Sequence, residues 1–206
     1  MDKVMEPARD IAAAAAPTAA EDSGGTRARI QQVALELFTE QGYDKTSLRE
    51  IAERLGVTKA ALYYHFKSKE DIFRAILDDY RREMDAFIGW GEAQPHTDAV
   101  RRELIARYVD TVVRHTMLYS CLERNQATIN QFNGGKSQEM FRDRMTRMAE
   151  LLREPGAPLP VRIRSSIALL AVHAGWLFFQ DEEADSDELR TVVYEIACEL
   201  AGVSPR

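Results

Sequence analysis

The spacing of helix signals around Gly56 restricts the fold of this chain more than any other feature of its sequence. Before the glycine, apolar residues recur at helical spacing from Leu48 to Leu55, after a Thr-Ser pair that can cap the helix. After it, Thr58 can cap a short third helix that reaches about Phe66. Two helices joined by a tight glycine turn form a helix-turn-helix, whose second helix can lie in the major groove of DNA.

The chain after Thr26 shows helical periodicity throughout, without a sustained strand pattern, and this predicts an all-α fold. A first helix carries an apolar stripe over 30–38 and ends at Gly42. A fourth helix begins at Ser68, and we expect it to break at Gly89-Trp90-Gly91.

Proline- and glycine-containing segments divide the remainder into further helices. We expect connectors at 92–98 and 154–160 and a polar loop at 123–136. The apolar run Ile167–Phe179 has 13 residues, which is too short to span a bilayer and predicts a buried helix. The later helices are predicted at about 100–112, 140–152, 161–179 and 187–201.

Length and composition predict globular helical domains behind a tail. The chain has 206 residues, of which 45% are hydrophobic, enough for a substantial core. Residues 1–25 are mainly small and polar, so we expect a disordered tail there rather than a signal sequence. The helical part then divides into domains at 26–72 and 73–206. Two cysteines, Cys121 and Cys198, are too few for a disulfide framework and fit a cytoplasmic protein.

Positive charge is concentrated in the helix-turn-helix. The segment from Lys45 to Lys69 contains six basic and two acidic residues, a net charge of +4, whereas the whole chain carries −6. This asymmetry is typical of an element that binds a polyanion, although a solvated basic face would have the same composition.

The third helix is predicted to present an unusual outer surface. With Val57, Ala61, Leu62 and Phe66 turned inward, four residues project outward together: Lys59, Ala60, Tyr63 and Tyr64. Hydroxyl groups suit phosphate oxygens, flat rings suit sugars, and a small residue permits close approach to a base. Together with the local charge, this surface favours DNA binding over a structural hairpin.

The stretch "SLREIAERLGVTKAALYYHFKSKEDIF" resembles the N-terminal signature of the tetracycline-repressor (TetR) family. The similarity extends upstream through "RIQQVALELFTEQGYDKTS" and covers about residues 26–77, while the rest of the chain agrees only in length and helical content. The resemblance implies an all-helical homodimeric regulator with an N-terminal three-helix DNA-binding domain and a C-terminal ligand-binding and dimerisation domain. Such a regulator is generally a repressor that a small molecule releases from a palindromic operator.

The resemblance also implies roles for individual residues of the helix-turn-helix. Side chains that would approach base edges are Thr58, Lys59, Ala60 and Tyr64. Groups that would hold phosphates are Thr46, Ser47, Tyr63, His65 and Lys69.

The last two helices are the candidates for a homodimer interface. Small residues at helical spacing on one and an apolar stripe on the other could pair across a two-fold axis, although both could equally be internal core. The candidate interface residues are Ala168, Ala171, Gly175, Leu189, Val192, Val193, Ile196 and Leu200.

The middle helices are rich in methionine and aromatic residues, which tolerate varied ligands but also fill ordinary cores. We expect a mostly apolar effector to bind among them. The candidate contacts are Tyr108, Met117, Phe132, Met140, Phe141, Met145, His173 and Trp176.

Other functions have less support in the sequence. The histidines show no paired spacing, and no metal, cofactor or nucleophile motif occurs, so we expect no metal, no cofactor, no membrane partner and no enzyme activity. An enzyme using the C-terminal cavity would lack a convergent acid, base or nucleophile. A DNA-binding regulator without an effector, controlled by a protein partner or by its abundance, remains the alternative.

Overall fold

The computed structural model of this protein describes residues 19–125, 137–179 and 186–205, and within them every regular element is an α-helix. The all-α prediction is therefore confirmed for this part of the chain. The helices are α1 (Ala19–Glu40), α2 (Leu48–Leu55), α3 (Lys59–His65), α4 (Lys69–Glu92), α5 (Asp98–Arg114), α6 (Thr116–Arg124), α7 (Ser137–Leu151), α8 (Leu159–Phe179) and α9 (Ser186–Ala201).

The first helix begins earlier than the sequence pattern indicates. α1 starts at Ala19, inside the segment predicted as a tail, and residues 1–18 lie outside the described part. Alanine residues, including Ala19 and Ala20 at the start, favour a helical backbone. These local preferences extend the helix although the segment offers little apolar surface.

The hydrophobic core of the N-terminal helices includes a helix from much later in the chain. Phe38, Leu62 and Phe73 are buried there, in the core shared by α1 to α4. Leu118 and Cys121 of α6 are buried in the same core. The packing boundary is therefore not the simple division after residue 72.

α4 runs past the glycines where we expected it to break. It continues through Gly89 and Gly91 to Glu92, so the predicted break is wrong. Gly91 is buried, and a Cβ atom there would lie 2.6 Å from Leu151 Cδ1 and 2.9 Å from Leu104 Cδ2. The glycine is needed because α5 and α7 approach α4 closely at this point.

The C-terminal core is formed by α4, α5, α7, α8 and α9. One arginine ties the ends of two of these helices to the start of a third. Arg101 Nε donates to the Leu152 carbonyl at 2.9 Å, and its guanidinium also bonds the Ala201 carbonyl and Asp98. These bonds satisfy carbonyls that a helix end leaves without partners.

α8 has one buried and one exposed apolar side. With 21 residues, it is long and apolar enough to cross a membrane by length and composition alone, which is weak evidence because core helices of soluble proteins meet the same criterion. The prediction of a buried helix therefore holds for one side of α8 and is wrong for the other. The buried side faces α5, α7 and α9. The other side is exposed, and we use the name outer apolar face for its apolar residues together with two exposed residues of α9: Ile163, Ile167, Leu170, Leu177, Phe178, Val192 and Ile196.

The small residues predicted at a dimer interface face the chain's own core instead. Ala168 is fully buried, and a Cβ atom on Gly175 would overlap Val193 Cγ2 of α9. Val193 is itself buried, whereas Ala171, Leu189 and Leu200 are half-buried. Of the candidate interface residues, Val192 and Ile196 are the exposed ones, because the small residues are used to bring α8 close to α9 within one chain.

Candidate nucleic-acid interface

The local signals of the helix-turn-helix produce the elements that the sequence predicts. Ser47 caps α2 in a capping box, with its hydroxyl accepting from the Glu50 amide while its own amide donates to Glu50 Oε2 at 2.7 Å. Gly56 ends the helix with a φ of +69°, a left-handed conformation that glycine adopts without strain. Thr58 and Ser68 cap α3 and α4 through their hydroxyls, each of which accepts from the backbone amide three residues later, without the reciprocal bond of a capping box.

The outer surface of α3 is the one that its sequence indicates. Leu62 is fully buried against the preceding helices, which fixes the rotation of α3. Tyr64 is 78% exposed, Tyr63 is 36% exposed, and Lys59 Nζ lies 5.5 Å from the centre of the Tyr63 ring. Ala61 is also exposed, contrary to its predicted inward orientation. Thr58 and Ala60 complete an exposed surface made of a cation, hydroxyl groups and flat rings.

Among the basic residues of α2 and α3, the lysine or arginine without an ion pair lies on α3. On α2, Arg49 pairs with Glu53, and Arg54 pairs with Glu40. Lys59 forms no ion pair with any residue in the described ranges. Unpaired cations keep their charge available to phosphate groups.

Lys69 has a structural role that differs from its predicted one. Its ammonium donates to the backbone carbonyls of Tyr43, Asp44 and Thr46 at 2.8, 3.3 and 3.2 Å, and it lies 4.4 Å from the centre of the Tyr43 ring. The turn between α1 and α2 therefore uses the donors that we had assigned to a phosphate. The correction arises because the start of α4 packs beside a turn that is distant in sequence.

Thr46 is likewise part of the domain's framework. Thr46 is only 2% exposed, and its hydroxyl donates to the Gly42 carbonyl at 2.9 Å. Gln41 reaches both the Thr46 hydroxyl and Glu50, which ties the turn to the first turn of α2. The prediction that the Thr46 side chain holds a phosphate is corrected on this geometry.

The remaining predicted contacts stay accessible to different degrees. Ser47 is exposed, although its hydroxyl also bonds Glu50. His65 is half-buried with its ring edge against Tyr64. Their contacts with phosphates stay predictions.

Arg27 was missed by sequence reasoning. Its guanidinium lies 4.2 Å from the centre of the Phe66 ring, and Nη1 donates to the His65 carbonyl at 3.4 Å. It therefore holds the carboxyl end of α3, where a helix dipole favours a cation. No local pattern indicates this contact, because α1 and the end of α3 meet only in the folded domain.

Several candidate effector residues come together in the C-terminal domain. We call Tyr80, Tyr108, Tyr119, Phe141 and His173 the aromatic cluster. Tyr108 Oη lies 3.0 Å from His173 Nδ1, and Tyr80 Oη lies 2.8 Å from Tyr119 Oη. The His173 ring meets those of Tyr119 and Phe141 at centroid distances of 5.1 and 6.3 Å. The sequence indicated Tyr108, Phe141 and His173 but missed the two tyrosines of α4 and α6.

The other candidate effector residues are placed less uniformly. Met145 Sδ lies 3.5 Å from Tyr108 Oη, and Trp176 follows His173 by one helical turn on α8. Met117 instead lies on the side of α6 near α1, where its carbonyl accepts from Thr39 Oγ1 at 3.4 Å. Phe132 and the side chain of Met140 lie outside the described residues.

Comparison with known proteins identifies the helix-turn-helix independently. Residues 30–76 match the family model described as bacterial regulatory proteins, tetR family. A 56-residue stretch is 50% identical to the HTH-type transcriptional regulator AcrR of Shigella flexneri, covering 27% of this chain and 26% of that protein. A 95-residue stretch is 32% identical to the regulator TtgR of Pseudomonas putida, covering 45% of each protein. The matched part of the chain thus spans less than two-thirds of the length of each of these relatives.

The similarity of fold extends over most of the chain. A transcriptional regulator of the TerR/AcrR family from Aquifex aeolicus VF5 superposes with a TM-score of 0.65 at 26% identity, covering 83% of this chain and 96% of that one. All three similar proteins are named as transcriptional regulators, which agrees with the prediction that this chain is not an enzyme.

Replacing Lys69 by Met should destabilise the N-terminal domain. The substitution removes charge-assisted hydrogen bonds to three carbonyls, and such bonds contribute about 1.5–3 kcal/mol each to stability in favourable cases. We expect urea unfolding to report a loss of at least ~1.5 kcal/mol. Lys59→Met is the matched control and should stay within ~0.5 kcal/mol of the wild type, because Lys59 is exposed. A Lys69→Met protein as stable as the wild type would contradict the structural role of the ammonium.

Proposed function

We propose that this chain is a member of the tetR family of bacterial regulatory proteins, because residues 30–76 match that family's model and the fold is similar to that of such regulators. On this proposal it is a cytoplasmic transcriptional regulator that binds a palindromic DNA operator as a homodimer. We propose further that it is a repressor, released when a small and mostly apolar molecule binds its C-terminal domain. Residues 26–72 would bind the DNA, and residues 73–206 would bind the effector and the second protomer. The exposed surface of α3 is the observation that carries this proposal.

The chemistry of α3 supports contact with both bases and phosphates. Thr58, Lys59, Ala60 and Tyr64 are exposed on a helix that follows a tight turn, as the recognition helix of a helix-turn-helix does when it enters the major groove. The hydroxyl of Tyr63 would reach a phosphate oxygen beside them. The capped amino ends of α2 and α4 would add backbone N–H groups, with Lys69 holding the turn between them in place.

The outer apolar face supports a homodimer. Leu170 and Phe178 are 53% and 70% exposed, and Val192 and Ile196 are exposed on α9, the helix that packs against α8. Several large apolar side chains exposed on two neighbouring helices are unfavourable in water, whereas a second copy of the same helices would cover them across a two-fold axis. Two recognition helices would then be held at a fixed spacing, as a palindrome requires.

Two helices are placed to connect an effector with the DNA-binding domain. α4 carries Phe73 in the N-terminal core and Tyr80 in the aromatic cluster. α6 carries Leu118 in the N-terminal core and, at the next position, Tyr119 in the cluster. A ligand that separates the two tyrosines would move α6 relative to α4, and it would release DNA only by binding that rearranged state more tightly.

The end of α6 forms hydrogen bonds with the end of α1 and with the turn between α1 and α2. Asn125 Oδ1 accepts from the Tyr43 amide at 2.9 Å, and Arg124 Nη1 donates to the Thr39 carbonyl at 2.9 Å. The same turn is held by Lys69 from the start of α4. Movement of either helix would therefore change the support of α2 and α3.

Selection of bound sequences from a random double-stranded DNA pool tests the central proposal. We expect an inverted repeat, and we expect Lys59→Ala and Tyr64→Ala each to weaken its binding by about tenfold or more. Lys45→Ala removes the same charge from an exposed position outside α3 and serves as the control. It should cost much less affinity. Failure to enrich any sequence at low salt would contradict the proposal.

A charge on the outer apolar face should dissociate the homodimer. Leu170→Arg and Ile196→Arg are each expected to give a species of about 23.3 kDa in sedimentation velocity, against twice that mass for the wild type. Burying an unpaired guanidinium in an interface is strongly unfavourable. Thr146→Arg, at an exposed position of α7, should leave the dimer intact. Variants that sediment as the wild type would place the interface elsewhere.

Removing the amide side chain of Asn125 should weaken the link between α6 and the DNA-binding domain. Asn125→Ala leaves the Tyr43 amide without its acceptor, and we expect a loss of about 1–2 kcal/mol in unfolding free energy together with a severalfold loss of operator affinity. Glu123→Ala, at an exposed position of the same helix, is the matched control. Equal behaviour of the two variants in both measurements would remove α6 from the mechanism.

A further inference from the structure

We propose that the aromatic cluster, with Trp176 beside it, binds an uncharged aromatic compound that carries a carbonyl oxygen. The proposal rests on the effector role proposed above for the C-terminal domain and adds the chemical class of the effector. Its basis is the set of hydrogen-bond donors that this region leaves unused, together with the absence of a counter-charge among its side chains.

One residue of the aromatic cluster is buried, and the others are partly accessible to solvent. Tyr108 is 1% exposed and anchors the cluster from α5. Tyr80, Tyr119 and His173 are half-buried, although they come from three different helices that meet at this point. Phe141 is 48% exposed at its edge. The rings of the cluster come from five helices, and a flat molecule that contacts them would form the ring-to-ring pairs that are favourable between aromatic groups.

The tyrosine pair leaves one proton without an acceptor. Tyr80 and Tyr119 share a single hydrogen bond of 2.8 Å between their hydroxyl oxygens, so one hydroxyl donates and the proton of the other has no partner among the described residues. Either tyrosine can take either role. The spare donor thus belongs to the pair rather than to one residue.

Trp176 supplies a second unused donor. Its side chain is 9% exposed, and Nε1 has no hydrogen-bond partner in the part of the chain that the structure describes. Trp176 lies three residues after His173 on α8, so the two side chains share one side of the helix. A buried donor without a partner is unfavourable, and a ligand oxygen would relieve this.

The cluster itself carries no charge at neutral pH. Burial raises the pKa of Tyr80, Tyr108 and Tyr119 above the usual value, and burial lowers the pKa of His173. The tyrosines therefore stay protonated and the histidine stays neutral near pH 7.

The nearest charged groups are already paired with one another. Glu83 binds His115 and Arg114 at the junction of α5 and α6, and Arg144 binds Asp85 through both Nε and Nη2. A charged ligand would lose its hydration without gaining a free partner, which disfavours carboxylates and ammonium compounds alike.

Four naphthalene probes of nearly equal size test the proposal on the purified full-length protein. They are methyl 2-naphthyl ketone, 2-ethylnaphthalene, 2-naphthoate and 2-naphthylmethylammonium, measured by isothermal titration calorimetry. We expect the ketone to bind about tenfold more tightly than the ethyl compound, because only the ketone accepts a hydrogen bond. We expect it to bind about a hundredfold more tightly than either ion.

Variants then test which donors provide the preference for the ketone. Trp176→Phe removes the indole N–H, and the double substitution Tyr80→Phe with Tyr119→Phe removes the spare hydroxyl proton, which a single substitution would leave in place. Each is expected to reduce the ketone's advantage over the ethyl compound to about threefold or less. Trp90→Phe, at an indole outside the cluster, should retain the full advantage.

Three results would overturn the inference: an ion that binds as tightly as the ketone, no difference between the ketone and the ethyl compound, or no binding of any probe by the wild type. Operator selection is measured separately on the same protein. An inverted repeat without a preference for the ketone would reject this inference alone, whereas failure to select any DNA would reject the proposed function.

Discussion

The burial of α6 in the core of the first four helices is the contact on which the rest of the arrangement depends. Leu118 and Cys121 complete a core that α1, α2 and α3 cannot close by themselves. Through this contact the C-terminal helices are attached to the helix-turn-helix at its first turn, where Asn125 bonds the Tyr43 amide. The surface of α3 then has a fixed orientation relative to the larger domain.

A second constraint concerns the division of polar groups between structure and surface. Capping hydroxyls, Thr46 and the Lys69 ammonium are all used to hold the backbone near the ends of α1, α2 and α4. Lys59 and Tyr64 are not used in this way and remain exposed. A recognition surface needs both sets, because side chains contact a base edge productively only when the helix that carries them is held rigidly.

In the C-terminal domain, too, the residues that pack the helices together differ from those that we propose bind a partner. Gly91 and Gly175 allow close approach of helices within one chain, so they belong to the core. The outer apolar face, the Trp176 indole N–H and one hydroxyl proton of the tyrosine pair have no partner among the residues that the structure describes. Their chemistry differs, since one is an extended apolar surface and the other is a small polar-aromatic site. A second protomer suits the first, and a small neutral molecule suits the second.

The sequence by itself determined the helical class, the caps at Ser47, Thr58 and Ser68, and the outward set on α3, because periodicity, capping and glycine turns act between residues close in the chain. Only the tertiary structure decided the roles of Lys69, Thr46 and Arg27. It also decided that α6 joins the N-terminal core and that Gly175 faces Val193. These contacts join residues far apart in sequence, and a helical stripe does not specify which neighbour will cover it.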